Sequence, residues 1–247
     1  MIQTTGFGSV FLLSEDAPVH EKKFEFEYVV GTNPECIEER EKKTAEEVAK
    51  SYDKWVEKKL YESDMEARGY YGPQLTADTA ALMFPDNREN VRVVDIGAGT
   101  GLLSIKLREH GFAQIDAVDP SEVSMKVAME KNLYGRYLVD FVDERRLDIK
   151  TDEYDGLVSS AAFTPGSMPS IALKEFIRVV KPGGYVCFST PEYVLRLSTE
   201  LRDNFERLME KYEKEGAWKR ILKAVVPGYF DNKLGVLYVF RILKSEI

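Results

Sequence analysis

From about residue 90 onward the chain alternates between two kinds of pattern. Short apolar runs at residues 91–95, 115–118, 137–142, 156–160 and 185–189 read as strands. Between them, residues 102–110, 121–131 and 170–180 read as helices, the last with Ile171, Phe176, Ile177 and Val180 turned inward. Ser121 stands where an N-cap is expected, and Gly111 where a helix closes. The spacing of Leu201, Phe205, Leu208 and Tyr212 predicts a long amphipathic helix over 199–215, followed by two closing strands, 220–226 and 235–243. Lys181-Pro182-Gly183-Gly184 reads as a turn. Strand–helix alternation predicts an α/β fold: a mostly parallel sheet wrapped on both faces, with the last two strands as an antiparallel pair at one edge.

Upstream, Thr44 and Glu47 form a capping-box pattern, and Val48, Tyr52, Trp55, Val56 and Leu60 then make one apolar helix face. Gly69-Tyr70-Tyr71-Gly72-Pro73 is a turn, and Pro73 suits the first turn of a second helix that runs to Met83 and stops at Phe84-Pro85. The first forty residues are harder to read. Residues 8–13 fit a strand, and Phe24, Phe26 and Tyr28 alternate with Glu25 and Glu27 as in a half-buried one. A hairpin on the main domain and an arm on a partner chain fit equally. The mixed charges of 38–43 read as a solvated helix face. The expected division is an extension over 1–43, a helical lid over 44–90 and a core over 91–247.

Composition narrows the chemistry. The 247 residues contain 34 Lys and Arg against 42 Asp and Glu, a net charge of -8, which argues against nonspecific nucleic-acid binding. Two cysteines, Cys36 and Cys187, make neither a disulfide framework nor a four-ligand zinc site. Two histidines, His20 and His110, argue against a His-rich metal centre, and His110 suits a helix C-terminus. No metal is expected. No apolar stretch approaches the length of a membrane span, and the start lacks the features of a signal peptide, so a cytoplasmic setting is expected, with passage into the nucleus left open.

The central motif is Val93-Val94-Asp95-Ile96-Gly97-Ala98-Gly99-Thr100-Gly101, an apolar strand entering a glycine-rich turn and then a helix. Without Cβ atoms at Gly97 and Gly99 a ligand can lie against the backbone, and the helix N-terminus offers free N–H groups. The glycines follow Gly-x-Gly-x-Gly, not the dinucleotide pattern Gly-x-Gly-x-x-Gly, since Leu102 stands where the last glycine would be. Asp119, at the end of the next strand, can accept two ribose hydrogen bonds. That suits NAD as well as an adenosyl ligand.

These residues, with Asp119-Pro120-Ser121 and Val179-Val180-Lys181-Pro182-Gly183-Gly184, resemble the class I S-adenosylmethionine-dependent methyltransferases. Ala49-x-x-Tyr52-Asp53-x-Trp55, Gly69-Tyr70-x-Gly72-Pro73, Val226-Pro227-Gly228-Tyr229-Phe230 and Gly235-Val236-Leu237-Tyr238-Val239 are similar to the methyltransferase-like proteins of the Williams–Beuren critical region. The resemblance implies a Rossmann-like, seven-stranded sheet with an antiparallel edge strand. It implies S-adenosyl-L-methionine as cofactor and S-adenosyl-L-homocysteine as product. It places Gly97, Ala98 and Gly99 beside the methionine part, with Asp95 helping to fix it, Asp119 on the ribose and Pro120 against adenine. An acid after the third strand would meet the adenine amino group. Asp140 and Asp143 both qualify, and Asp140 is chosen, with Phe141 against the base. The Ser160 carbonyl would face the cofactor amino group, and Tyr52 would lie over the sulfonium, although its helical spacing suits the core equally. No Asn/Asp-Pro-Pro-Tyr/Phe motif follows the fourth strand, where Ser159-Ser160-Ala161-Ala162-Phe163-Thr164-Pro165 stands, which argues against adenine or glutamine amide acceptors. No catalytic base is assigned. Tyr193, Tyr229 and Phe230 are candidates for the acceptor pocket or for packing. The expected acceptor is a small molecule or a protein side chain. A monomer is expected, with a weak dimer through the N-terminal arm as the alternative. A cofactor-binding protein without turnover and an NAD-dependent enzyme remain the competing readings.

Overall fold

The computed structural model describes residues 31–245. The strands expected at 8–13 and 23–28, His20 and the dimerising arm lie outside the described residues.

Among the described residues four α-helices precede the sheet: α1 (Pro34–Glu41), α2 (Ala45–Glu57), α3 (Tyr61–Ala67) and α4 (Gly72–Met83). The capping box at the start of α2 forms as the sequence predicts, with Thr44 Oγ1 accepting from the Glu47 N–H at 3.2 Å and Glu47 Oε2 accepting from the Thr44 N–H at 2.8 Å. Then follow β1 (Arg92–Ile96), α5 (Leu102–Glu109), β2 (Gln114–Val118), α6 (Glu122–Glu130), β3 (Tyr137–Leu138), β4 (Tyr154–Ser160), α7 (Leu173–Val179), β5 (Val180–Pro191), α8 (Glu192–Leu197), α9 (Thr199–Lys214), β6 (Trp218–Phe230) and β7 (Lys233–Ile242). The seven strands lie in the order β3-β2-β1-β4-β5-β7-β6. The first five are parallel, and β7 runs antiparallel between β5 and β6. The strand order reverses between β1 and β4, which opens a crevice at their carboxyl ends.

Both faces of the central strands β1, β4, β5 and β7 are covered, so these strands are apolar on both sides, whereas the edge strand β6 is largely exposed between Lys219 and Gly228. On β5, Val186 and Phe188 point into one core with α7, α8 and α9, while Cys187 points into the other with α4, α5 and α6. The first core is aromatic: Phe163 and Phe205 have ring centroids 4.6 Å apart, and Trp218 stacks on Phe240 at 3.9 Å. A third cluster, Trp55, Met65, Tyr229 and Phe230, joins α2 and α3 to the end of β6.

Local structure departs from the sequence pattern in several places. The strand expected over 137–142 is only two residues long. Beyond Leu138, the Asp140 carboxylate accepts its neighbour's N–H, from Phe141, at 2.8 Å, a local bond that competes with the ladder, and Val142 turns into the core. The helix expected over 170–180 begins as a 3₁₀ turn at Ser170–Ala172. Helices α3 and α8 have no sequence signal of their own. Neither start carries a side-chain cap, and α3 is held from outside by Trp55, whose Nε1 donates to Asp64 at 2.8 Å. Lys181–Gly184 loops out of β5 as a large bulge, since Tyr154 pairs Val180 and Gly156 pairs Tyr185. His110 closes α5 as expected, and its Nε2 lies 2.6 Å from Asp78 Oδ1. No helix among the described residues is long and apolar enough to cross a membrane.

Candidate active site

The glycine turn leaves β1 beneath the end of β2. The N–H groups of Gly97 and Ala98 both donate to the Val118 carbonyl, at 2.8 and 3.2 Å, which folds the turn back over the crevice. Gly97 has φ +74°, and a Cβ there would meet the Ala162 Cβ at 2.5 Å, so both backbone conformation and space require glycine. A Cβ on Gly99 would meet nothing within 4 Å, so its bare face looks into open space.

Asp119 ends the strand beside this turn. Its Oδ2 accepts from the Gly99 N–H at 2.8 Å and its Oδ1 from the Ser121 N–H at 2.9 Å. Burial pushes this carboxyl up to about 6, against the two N–H donors that favour its charge. Asp95 is fully buried below, where its Oδ2 accepts from the Tyr134 hydroxyl at 2.7 Å and its Oδ1 has no hydrogen-bond partner. Burial, opposed by the Tyr134 hydrogen bond, puts it at about 7.

A cavity of about 1170 Å³, counting its mouth, spans the carboxyl ends of β2, β1, β4 and β5. Of the residues singled out in the sequence, Tyr52, Gly97, Gly99, Asp119, Pro120, Phe141 and Ser160 line it. Ala98, Asp95 and Asp140 do not. Ala98 is buried against α5 and α6, and Asp95 lies beneath the turn. Asp140 accepts from the N–H of the next residue, Phe141, while Asp143, the other candidate, pairs with Arg145 at 2.9 Å. Tyr193 and Phe230 line the cavity. Tyr229 does not; it is buried with its hydroxyl 2.9 Å from Ser189 Oγ. Helix α9 contributes no lining residue.

Sequence reasoning missed several walls of the site. Tyr61 and Met65 come from the unpredicted α3, and Arg40 from the end of α1. Tyr61 stands edge-on to Trp55, ring centroids 5.0 Å apart, and Tyr70 places its hydroxyl 2.9 Å from Ser160 Oγ. Helices α2 and α3 are tied to α6 by Asp53, whose Oδ1 accepts from Ser121 Oγ at 2.5 Å, and by a Lys131–Glu62 ion pair. The Asp53 contact had no sequence signal, because it joins residues 68 positions apart.

Sheet order, glycine turn and strand-end acid together define a doubly wound α/β protein with an open crevice at its switch point. Residues 67–224 match a family model described as a methyltransferase domain. Human methyltransferase-like protein 27 is 28% identical over 171 residues, covering 69% of this chain and 68% of the relative. A ubiquinone biosynthesis O-methyltransferase from Pseudomonas fluorescens is 26% identical over 156 residues, 55% of this chain and 66% of its own length. Among solved structures, an S-adenosylmethionine-dependent methyltransferase from Thermotoga maritima superposes with a TM-score of 0.53 at 18% identity, covering 79% of this chain and 98% of that one. A methyltransferase complex with the Trm112 activator from Haloferax volcanii gives a TM-score of 0.58 at 19% identity, covering 79% and 98%. The two structures share the fold. The chain belongs to the S-adenosylmethionine-dependent methyltransferase family.

Proposed function

We propose that this protein binds S-adenosylmethionine across the ends of β1 and β2 and methylates a small molecule that enters the same cavity over β4 and β5. The observation that carries this reading is the Asp119 carboxylate, held by the Gly99 and Ser121 N–H groups where glycine turn and lid meet. Two N–H bonds leave acceptor capacity on the carboxylate for ribose hydroxyls. The open face of Gly99 fits a polar ligand lying on the turn. Pro120 and Phe141 offer flat apolar surfaces for a base, and neither Asp140 nor Asp143 is needed to hold it. Tyr52 and Tyr61 supply aromatic surface for a cation.

When bound, the cofactor supplies a methyl group already activated by its sulfonium. The chain's own residues then bind, orient and exclude water. Residues 44–90 act as the lid and 91–247 as the core. Calorimetric titration tests the reading: S-adenosylhomocysteine binds and NAD does not. Tight NAD binding with no S-adenosylhomocysteine binding overturns it.

One observation favours a second reading, a binding protein without turnover. Arg40 and Asp119 are the only charged side chains among the described residues lining the cavity, so it holds no histidine or lysine base. A carboxylate, thiolate or neutral amine acceptor needs none. Transfer of labelled methyl from S-adenosylmethionine to any such acceptor removes the second reading.

A further inference from the structure

Arg40, the penultimate residue of α1, lines the cavity and is 3% exposed. Its Nε and Nη2 are buried and have no hydrogen-bond partner, and among the described residues no carboxylate pairs with it. A guanidinium stays charged in proteins, and a buried charge without a partner is costly to a fold. Such a group calls for an anion that none of the described residues supplies.

The surroundings hold this cation in place. The next residue, Glu41, is turned onto the start of α9, where its Oε1 accepts from Ser198 Oγ at 2.7 Å and the Thr199 N–H at 2.6 Å. With Glu41 pinned there, the end of α1 is fixed. The loop after β4 packs directly on the same turn: a Cβ on Gly166 would meet the Arg40 carbonyl oxygen and Val48 Cγ2, each at 2.8 Å. Thr164 and Ser167 of that loop and Tyr193 of α8 line the cavity with Arg40 and bring hydroxyl groups to it. Burial pushes the Tyr193 phenol up, and the charge of Arg40 acts against that rise.

This end of the cavity is far from the ribose acid. Asp119 follows β2, whereas Tyr193 follows β5, three places along the order β2-β1-β4-β5. At the spacing of neighbouring strands that is about 14 Å across the sheet. Gly97 and Ser160, at the ends of β1 and β4, lie between. The cavity therefore has an acid at one end, a cation at the other, and the expected place of methyl transfer in the middle.

We propose that Arg40 is the recognition site for a carboxylate on the methyl acceptor, so that the substrate is a small organic acid. The planar guanidinium pairs with the carboxylate through two parallel N–H donors, and the neighbouring hydroxyls complete its hydrogen bonding. This inference rests on the proposed methyl transfer for the meaning of "acceptor", but its test does not depend on turnover.

The test is calorimetric titration of the full chain, saturated with S-adenosylhomocysteine, using benzoate and butanoate against their uncharged amides. The wild type is expected to bind each acid at least tenfold more tightly than its amide. Arg40→Met removes that preference, Arg40→Lys retains part of it, and both variants keep S-adenosylhomocysteine affinity within twofold. Equal binding of acids and amides, or no acid binding at millimolar concentration, overturns the proposal. A tenfold loss of S-adenosylhomocysteine affinity in Arg40→Met also overturns it, since the cation would then serve the cofactor's own carboxylate. Should Arg40→Met fail to fold, Arg40→Lys and the wild-type acid–amide pairs still decide. If the wild type binds no S-adenosylhomocysteine, the proposed function falls, and the acid–amide comparison on the chain alone still decides the role of Arg40.

Discussion

Replacing Asp119 by alanine separates cofactor recognition from folding. In the fold this carboxylate accepts two backbone N–H groups, from Gly99 and Ser121. Losing an acceptor leaves each donor short of a partner, at about 1–3 kcal/mol where water cannot replace it. Against this, a carboxyl raised from 3.8 to about 6 has a charged form that costs about 3 kcal/mol more in the fold than in water. Alanine removes that penalty as well, so at pH 7.5 the two effects offset and Tm moves by only a few degrees. Binding has no such compensation. Loss of hydrogen bonds from the ribose hydroxyls to a charged acceptor costs about 1.5–3 kcal/mol, roughly 10- to 150-fold in Kd for S-adenosylhomocysteine.

The pH dependence follows with a definite sign. The folded value lies above the unfolded one, so Asp119 lowers stability as pH rises from about 4 to about 6. Cofactor binding runs the other way, because the charged carboxylate is the better acceptor. The affinity gap between wild type and Asp119→Ala is therefore full above pH 7 and shrinks as pH falls through about 6. Calorimetry at pH 5, 6, 7 and 8 measures it. Unchanged affinity in the variant, or a gap that does not respond to pH, refutes the assignment of the ribose to Asp119.

Other expectations are independent of that one. Gly97→Ala combines φ +74° with a 2.5 Å clash against the Ala162 Cβ and should lower stability by about 1–3 kcal/mol, read as a drop in Tm; Gly99→Ala, which meets nothing within 4 Å, should cost less. Tyr134→Phe removes the hydroxyl that favours the charged form of Asp95, so that carboxyl should titrate above its present value of about 7, whereas Asp119→Ala, by removing a neighbouring negative charge, should lower it; carbon NMR of labelled aspartate follows both shifts. Thr44→Ala breaks the capping box of α2 and should cost about 1 kcal/mol in urea denaturation, with a matching shift in midpoint and an unaltered slope.

Short-range physics made much of this protein legible from its residues. The order of strands and helices, the capping box at Thr44, the N-cap at Ser121 and the glycine turn at 97–101 are all set within a few positions by periodicity, capping and backbone sterics. The same short range made Gly97, Gly99, Asp119, Pro120 and Ser160 readable as one site, since parallel strands bring their carboxyl ends together whatever lies between. What stayed hidden depends on contacts between distant parts of the chain. Helix α3 has no side-chain cap and is held by Trp55, and the third strand ends early because Asp140 bonds the Phe141 N–H and Val142 finds the core. The choice between Asp140 and Asp143 could not be made from spacing, and in the fold neither is among the residues lining the cavity. Arg40 sat in a charged run that reads as solvent-facing. Only the packing of α1 against α9 and the loop after β4 removed it from water, because burial belongs to the whole fold and not to any stretch of the chain.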